Sequence, residues 1–287
     1  MVPVAPGPAT PGRARLASGY IDPPDRPPML QILSASSLRP LLRGRHPALA
    51  LEDVPALTRD ELGLSGLMLP TDLLAGAGSA ELERLRRQAD RSRCPILALA
   101  EPDPLKVTDA RWGSAAVDRA KRVLRAAERL GCSSAGIAVA APEQAADAAV
   151  EALQEVMETA DGVGVNLLLR PAPGLTQTPD RMTGFIKRVG GFRIGTMPDF
   201  LDAAATGDPG HYLKRLAPYA SVVIASFEKI GPRTRRPKFD LAACVGVLGE
   251  VGYDASIAIE HRGEGDPVAS VSAMRDALNT ALADAAP

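Results

Sequence analysis

From residue 29 onward the chain alternates short apolar runs with amphipathic stretches, and this alternation narrows the fold more than any other feature. The apolar runs are Leu30–Ser34, Leu64–Leu69, Ile96–Ala100, Ser134–Ala140, Gly164–Leu169, Arg193–Thr196, Ser221–Ala225 and Ser256–Glu260. Between them, residues such as Val117–Leu130 repeat their apolar positions at helical spacing. Further helical patterns cover Leu82–Ala89, Pro142 to about Ala160, Pro179–Val189, His211–Tyr219, Leu241–Val251 and Val268–Leu282. Gly131, Gly190-Gly191 and Gly252 fall where helices should stop, and Pro142 falls where one should start. Such a pattern asks for a parallel sheet covered by helices. About eight strand–helix units over ~250 residues match an α/β fold of the closed (β/α)8 barrel type, a TIM barrel. The pattern alone leaves a doubly wound open sheet as the alternative. No Gly-x-Gly-x-x-Gly follows the first strand, and no phosphate-loop pattern occurs.

Two regions follow: a barrel over residues 29–287, and an arm over residues 1–28. The arm carries Pro23-Pro24, Pro27-Pro28, Arg13, Arg15 and Arg26, without the apolar core of a targeting signal. Its prolines disfavour helix, so it reads as irregular or polyproline-like. It is expected to be disordered or to pack across a neighbouring subunit, and a homo-oligomer stays open. No apolar run approaches the ~18 residues of a membrane span. The net charge of -1 gives no general pull toward nucleic acid, and 3% aromatics give few stacking platforms for single strands. Cys94, Cys132 and Cys244 are scattered and lack zinc-ligand spacing, so they read as reduced, buried thiols. The cytoplasm is the compartment that fits.

In a barrel of this type the chemistry sits where strands end. Reading those ends gives Pro70-Thr71-Asp72, Glu101-Pro102-Asp103, Arg170-Pro171, Pro198-Asp199, Ser226-Phe227-Glu228-Lys229 and Glu260-His261-Arg262. The fourth strand ends on Ala140-Ala141-Pro142, which carries no chemistry. Solvated loop positions and helix caps produce the same residue types, most plainly at Asp72, Glu101 and Asp103.

Several segments in order bear on the family. They are Glu52-Asp53-Val54-Pro55 with Asp60-Glu61-Leu62-Gly63-Leu64, and Ala126-Ala127-Glu128-Arg129-Leu130-Gly131-Cys132. Gly195-Thr196-Met197-Pro198-Asp199-Phe200 is the strongest, followed by Leu216–Ala220, Lys238–Leu241 and Gly252-Tyr253-Asp254 before the strand that ends on Glu260. With this order and spacing, residues from about Glu52 to Leu282 resemble the xylose isomerase-like barrel family. That family includes sugar phosphate isomerases and epimerases and relatives of endonuclease IV. The resemblance implies a divalent metal, Mn²⁺, Mg²⁺ or Zn²⁺, held by carboxylates and a histidine from strands five to eight. Asp199 and Glu260 match two of these ligands. The strand-five glutamate falls on Arg170, and the strand-seven histidine falls within Val222–Ala225. Two ligands are lost and a dication beside Arg170 would be repelled, so this departure from the family's pattern disfavours a bound metal here. It leads instead to the expectation that Arg170 pairs with Asp199 or Glu260 in the metal's place.

The resemblance implies a sugar isomerase or epimerase acting by proton transfer, with Glu260 and Asp199 as base and acid and His261 as a shuttle. The alternative is a descendant that binds a ligand or protein without turnover. Lys229–Lys238 packs five basic residues into ten. Lys229 and Arg233 from that loop, with Arg170, Arg262 and Glu101, are the candidate contacts for a small carbohydrate or anion. DNA repair is discounted, because a histidine-rich metal cluster needs more than His46, His211 and His261.

Overall fold

The computed structural model describes residues 29–108, 110–229 and 239–285. The arm over residues 1–28 and the greater part of the basic loop, residues 230–238 including Arg233, lie outside the described residues. Eight strands form the barrel sheet: β1 (Leu30–Ser34), β2 (Leu67–Pro70), β3 (Ile96–Ala100), β4 (Ser134–Ala140), β5 (Asn166–Arg170), β6 (Ile194–Thr196), β7 (Val222–Phe227) and β8 (Ser256–His261). Helices cover them outside: α1 (Val54–Asp60), α2 (Ser79–Arg91), α3 (Ala110–Leu130), α4 (Ala146–Val163), α5 (Pro179–Val189), α6 (Phe200–Ala205), α7 (Pro209–Leu216), α8 (Leu241–Glu250) and α9 (Pro267–Asp284).

Every registered pairing is parallel, and the order runs β6-β5-β4-β3-β2-β1-β8-β7. The two ends of this curled sheet meet through isolated bridges, Thr196 to Ala220 and Asp199 to Ile224. The Ile224 N–H donates to the Pro198 carbonyl at 2.8 Å across that seam. The seam is much thinner than the β7–β8 pair, which holds register from Val222–Ser256 to Phe227–His261. Asp199 therefore sits where the barrel closes.

The core has two parts. Leu33, Leu69, Leu99, Leu167 and Ile259 face outward and pack under the helices. Ile32, Met68, Ala98, Leu168, Met197 and Ile224 fill the barrel interior. Gly136 on β4 makes that filling work, because a Cβ there would lie 2.6 Å from the Met197 sulfur.

The strands depart from the sequence reading for local reasons. β5 begins at Asn166, because Gly164 (φ 74°) caps α4 in the left-handed conformation and is spent on ending the helix. β7 and β8 run on to Phe227 and His261, past the end of their apolar runs, so Ser226 and His261 are ladder residues. α6 follows at once from Asp199, whose side chain caps it. Among the described residues no helix is long and apolar enough to cross a membrane. All three cysteines are free and buried, and burial pushes each thiol up to about 12.

Candidate active site

The mouth is built from the strand ends β6 to β8 and β1. Asp199, 1% exposed, spends Oδ1 on the amides of Leu201 (2.9 Å) and Asp202 (3.1 Å), and accepts the Ser226 hydroxyl at 2.5 Å. Its other oxygen accepts from Arg262 Nη2 at 2.5 Å. The same guanidinium donates through Nε to Glu260 Oε1 at 2.7 Å, and the Ser34 hydroxyl donates to Glu260 Oε2 at 2.6 Å. Arg262 is thus a bridge between the two carboxylates, and all four carboxylate oxygens are taken.

Protonation follows from this wiring. Burial pushes the Glu260 carboxyl up, but the Arg262 charge, the hydrogen bonds from Ser34 and Arg262 and the charge of Arg170 outweigh it and hold the carboxyl below its usual range. Asp202 goes the other way. Burial and then the neighbouring Asp199 charge push it up to about 6, against the pull of Arg262 and Arg170. Burial lowers the His261 pKa, opposed by a contact from Nε2 to the Glu228 carbonyl at 3.2 Å. A carbonyl only accepts, so Nε2 carries the hydrogen and the neutral ring keeps its other nitrogen as a base. The backbone N–H of His261 donates to the Ser37 hydroxyl at 2.9 Å.

Glu260, His261 and Arg262 line one cavity of about 360 Å³, together with Arg39 and Arg170. Ala100, Pro70, Pro102 and Ile224 supply apolar lining. Arg262 is shared by Glu260 and Asp199 and Arg39 pairs with Asp72, so Arg170, which has no ion pair among the described residues, is the lining cation left for an anion. Gly263 lets the loop after β8 close on β7, since a Cβ there would meet the Glu228 carbonyl oxygen at 1.7 Å.

The expectation for Arg170 needs correction. Its Nη1 donates to the Glu101 carbonyl at 3.3 Å, and the direct partner of both Asp199 and Glu260 is Arg262. The Arg262 side chain returns from the same strand end as Glu260, whereas Arg170 comes from β5 and reaches across only as a charge. The Glu101 carboxylate is not brought to this cavity. It turns outward to Thr71 (2.9 Å) and Arg119 (2.5 Å) and lines a different groove. Lys229 is exposed and does not line the mouth. Ser34, Ser37 and Arg39 were not singled out in the sequence. Applying the strand-end rule to β1 as to the others would have found them, in Ser34-Ala35-Ser36-Ser37-Leu38-Arg39.

The donor set does not fit a divalent ion. Among the described residues no three His, Cys, Asp or Glu side chains gather as metal ligands. The carboxylates of Asp199 and Glu260 already share a guanidinium, and a dication would have to displace that cation with Arg170 alongside.

A family model described as xylose isomerase-like TIM barrel matches residues 60–281. No curated protein sequence matches the chain. Among solved structures, an L-ribulose 3-epimerase is similar with a TM-score of 0.76 at 18% identity, over 90% of this chain and 95% of that one. A D-psicose 3-epimerase from Clostridium cellulolyticum H10, solved with D-tagatose, gives 0.68 at 16% identity, over 90% and 96%. A xylose isomerase-like TIM barrel protein from Mycobacterium smegmatis, solved with magnesium, gives 0.68 at 17% identity, over 91% and 98%. At these identities the likeness is one of fold.

Proposed function

The chain belongs to the xylose isomerase-like TIM barrel family, and on that premise we propose that its mouth takes a small anionic carbohydrate, such as a phosphorylated sugar, and moves a proton on it without a divalent metal. The observation that carries this reading is the Arg262 bridge between Asp199 and Glu260, in a cavity that also presents Arg39 and Arg170. Fixed guanidinium groups hold an anionic substituent and stabilise an oxyanion as it forms.

Glu260 is the base of the proposal. It takes a proton from the carbon beside a carbonyl, and the electron pair moves onto the carbonyl oxygen beside Arg170. The protonated Glu260 returns that proton to the neighbouring carbon, while His261 carries the hydroxyl proton between the two oxygens. Asp199 is a positioning residue, because its contacts cap α6 and hold Arg262. Glu260 and His261 come from one strand end, and across the cavity β5 offers only Arg170, a poor proton donor. Transfer between adjacent carbons on one face suits this arrangement better than inversion of a centre, which needs a second donor on the opposite face.

Phosphorylated aldoses and ketoses incubated with chelator-treated protein in heavy water test the reading. Deuterium should enter beside the carbonyl, unaffected by chelator and reduced at least ~100-fold by Glu260→Gln. Exchange that appears only after adding Mn²⁺ or Mg²⁺ overturns it. A second reading, ligand binding without turnover, is favoured by one observation: both Glu260 oxygens are engaged and the group is held ionised as a weak base. Tight sugar phosphate binding with no exchange would select it.

A further inference from the structure

We propose that the groove between α2 and α3 is a second anion site that binds a diphosphate group, so that the carbohydrate taken by the mouth carries such a group at its far end. The link to the mouth rests on the function proposed above; the affinity of the groove for diphosphate does not.

The groove has a volume of about 740 Å³, within the usual size of small-molecule sites. Along α3, Arg119, Arg122, Arg125 and Arg129 all line it, and their spacing puts them on one face. Opposite stand the loop Ala75–Gly78 and the first turn of α2 at Ser79, with Leu74, Leu82 and Val123 as apolar lining.

Charge decides what fits. Three carboxylates line the groove and three guanidinium groups pair with them, so they balance as a set: Arg39 and Arg43 on Asp72, and Arg119 shared by Glu101 and Asp103. Arg122 and Arg125 have no ion pair among the described residues, and Arg129 has only Glu83, at 3.9 Å. Two to three exposed guanidinium groups in one concave site form a surplus that a compact polyanion would match, with bidentate contacts to phosphoryl oxygens.

The groove adjoins the mouth. Pro70 and Ala100 line the mouth, while Thr71, Asp72 and Glu101, the next residues of the same strand ends, line the groove. Arg39 lines the mouth and pairs with Asp72 in the groove wall, and Arg170 donates to the Glu101 carbonyl. The two cavities share these strand ends, and a linked ligand would run over them from one to the other.

Titration calorimetry of the full chain with inorganic pyrophosphate, at low and at moderate salt, tests the groove. Arg122 and Arg125 are exposed, so Arg122→Gln/Arg125→Gln should fold normally. That variant should weaken pyrophosphate binding at least ~10-fold, salt should weaken it in the wild type, and Arg170→Gln should leave it within about twofold. No wild-type binding at about 1 mM, or equal loss in both variants, overturns the groove site. A short single-stranded oligonucleotide that displaces pyrophosphate and itself requires Arg122 and Arg125 also overturns it, in favour of a nucleic-acid surface.

The link has its own readout. A diphosphate-linked sugar should bind at least ~10-fold more tightly than pyrophosphate, and Arg170→Gln should remove that excess. No excess breaks the link while the groove stands. Loss of sugar phosphate binding at the mouth with pyrophosphate binding intact breaks the function proposed above, again leaving the groove.

Discussion

Two sides of the barrel mouth solve the same problem in different solvents. Between β6 and β8, the one guanidinium of Arg262 pairs with both Asp199 and Glu260, whose side chains are 2% and 10% exposed. At the end of β2, Arg39 and Arg43 neutralise Asp72, which is 27% exposed, with Arg43 itself 55% exposed. The residue types are alike, but one arginine serves two carboxylates in the first cluster and two arginines serve one in the second, and water reaches only the second freely. Arginine partners hold Glu260 low in the buried cluster as they hold Asp72 low in the exposed one, but only in the buried cluster does burial push a neighbouring carboxyl, Asp202, up to about 6. In the exposed cluster water shares the work, and the pair is a latch that salt can loosen. Charge pairing alone therefore marks no active site. Burial turns it into a device whose pieces cannot be removed singly.

The largest expected effect comes from breaking the buried bridge. Arg262→Met leaves two carboxylates buried without their cation, which costs about 3–5 kcal/mol. Urea denaturation should show the loss at neutral pH, and the loss should shrink as pH falls and the stranded carboxylates protonate. A cost under about 1 kcal/mol would mean that the two clusters do not differ as described. Next is Gly263→Ala, which reaches the same cluster through the backbone. Its Cβ would collide with the Glu228 carbonyl, so the loop carrying Arg262 must shift. About 1–3 kcal/mol should be lost, together with sugar phosphate affinity.

The difference between the clusters also explains what was legible in the sequence. The barrel was legible because eight apolar runs and their intervening helical patterns state burial directly. Asp199 and Glu260 were legible as strand ends. Their partner was not, because Arg170 and Arg262 are the same residue type at equivalent strand ends. Only the direction in which each side chain leaves its strand distinguishes them, and sequence spacing does not carry that. Glu101 failed for the opposite reason: a strand-end carboxylate was expected at the mouth, but Arg119, from a helix 18 residues later, draws it outward. The extension of β8 to His261 was hidden because its outermost residues are polar while their backbone is still paired.

A smaller effect separates the titrating groups inside the buried cluster. Asp202 has a folded pKa near 6, above its ordinary 3.8, so its ionised form costs stability at higher pH. That cost is present in full above about 6 and is relieved as pH falls from there toward 3.8. Asp202→Asn should therefore raise thermal stability in mildly alkaline buffer by an amount worth on the order of 1 kcal/mol, with the gain fading at acid pH. Glu260 behaves inversely. Its lowered pKa contributes stability present above 4.5 and lost as pH falls through the folded value. Glu260→Gln should flatten the acid limb of the stability curve and leave the Asp202 contribution visible. If Asp202→Asn shows the same gain at every pH, the charge of Asp202 is not what the cluster strains against.

The smallest effect belongs to the exposed latch. Arg43→Gln removes the more exposed of the two guanidinium groups on Asp72 and leaves Arg39 in place. The cost should be under about 1 kcal/mol, and smaller still at high salt. The Asp72 carboxyl is raised by burial, and the Arg39 and Arg43 charges with the Arg39 hydrogen bond bring it below its ordinary value. Removing Arg43 should move it back only partway, as carbon-13 NMR of the carboxyl would register. A cost near that of Arg262→Met would erase the distinction between the two sides, because exposure would then make no difference to what an arginine–carboxylate pair contributes.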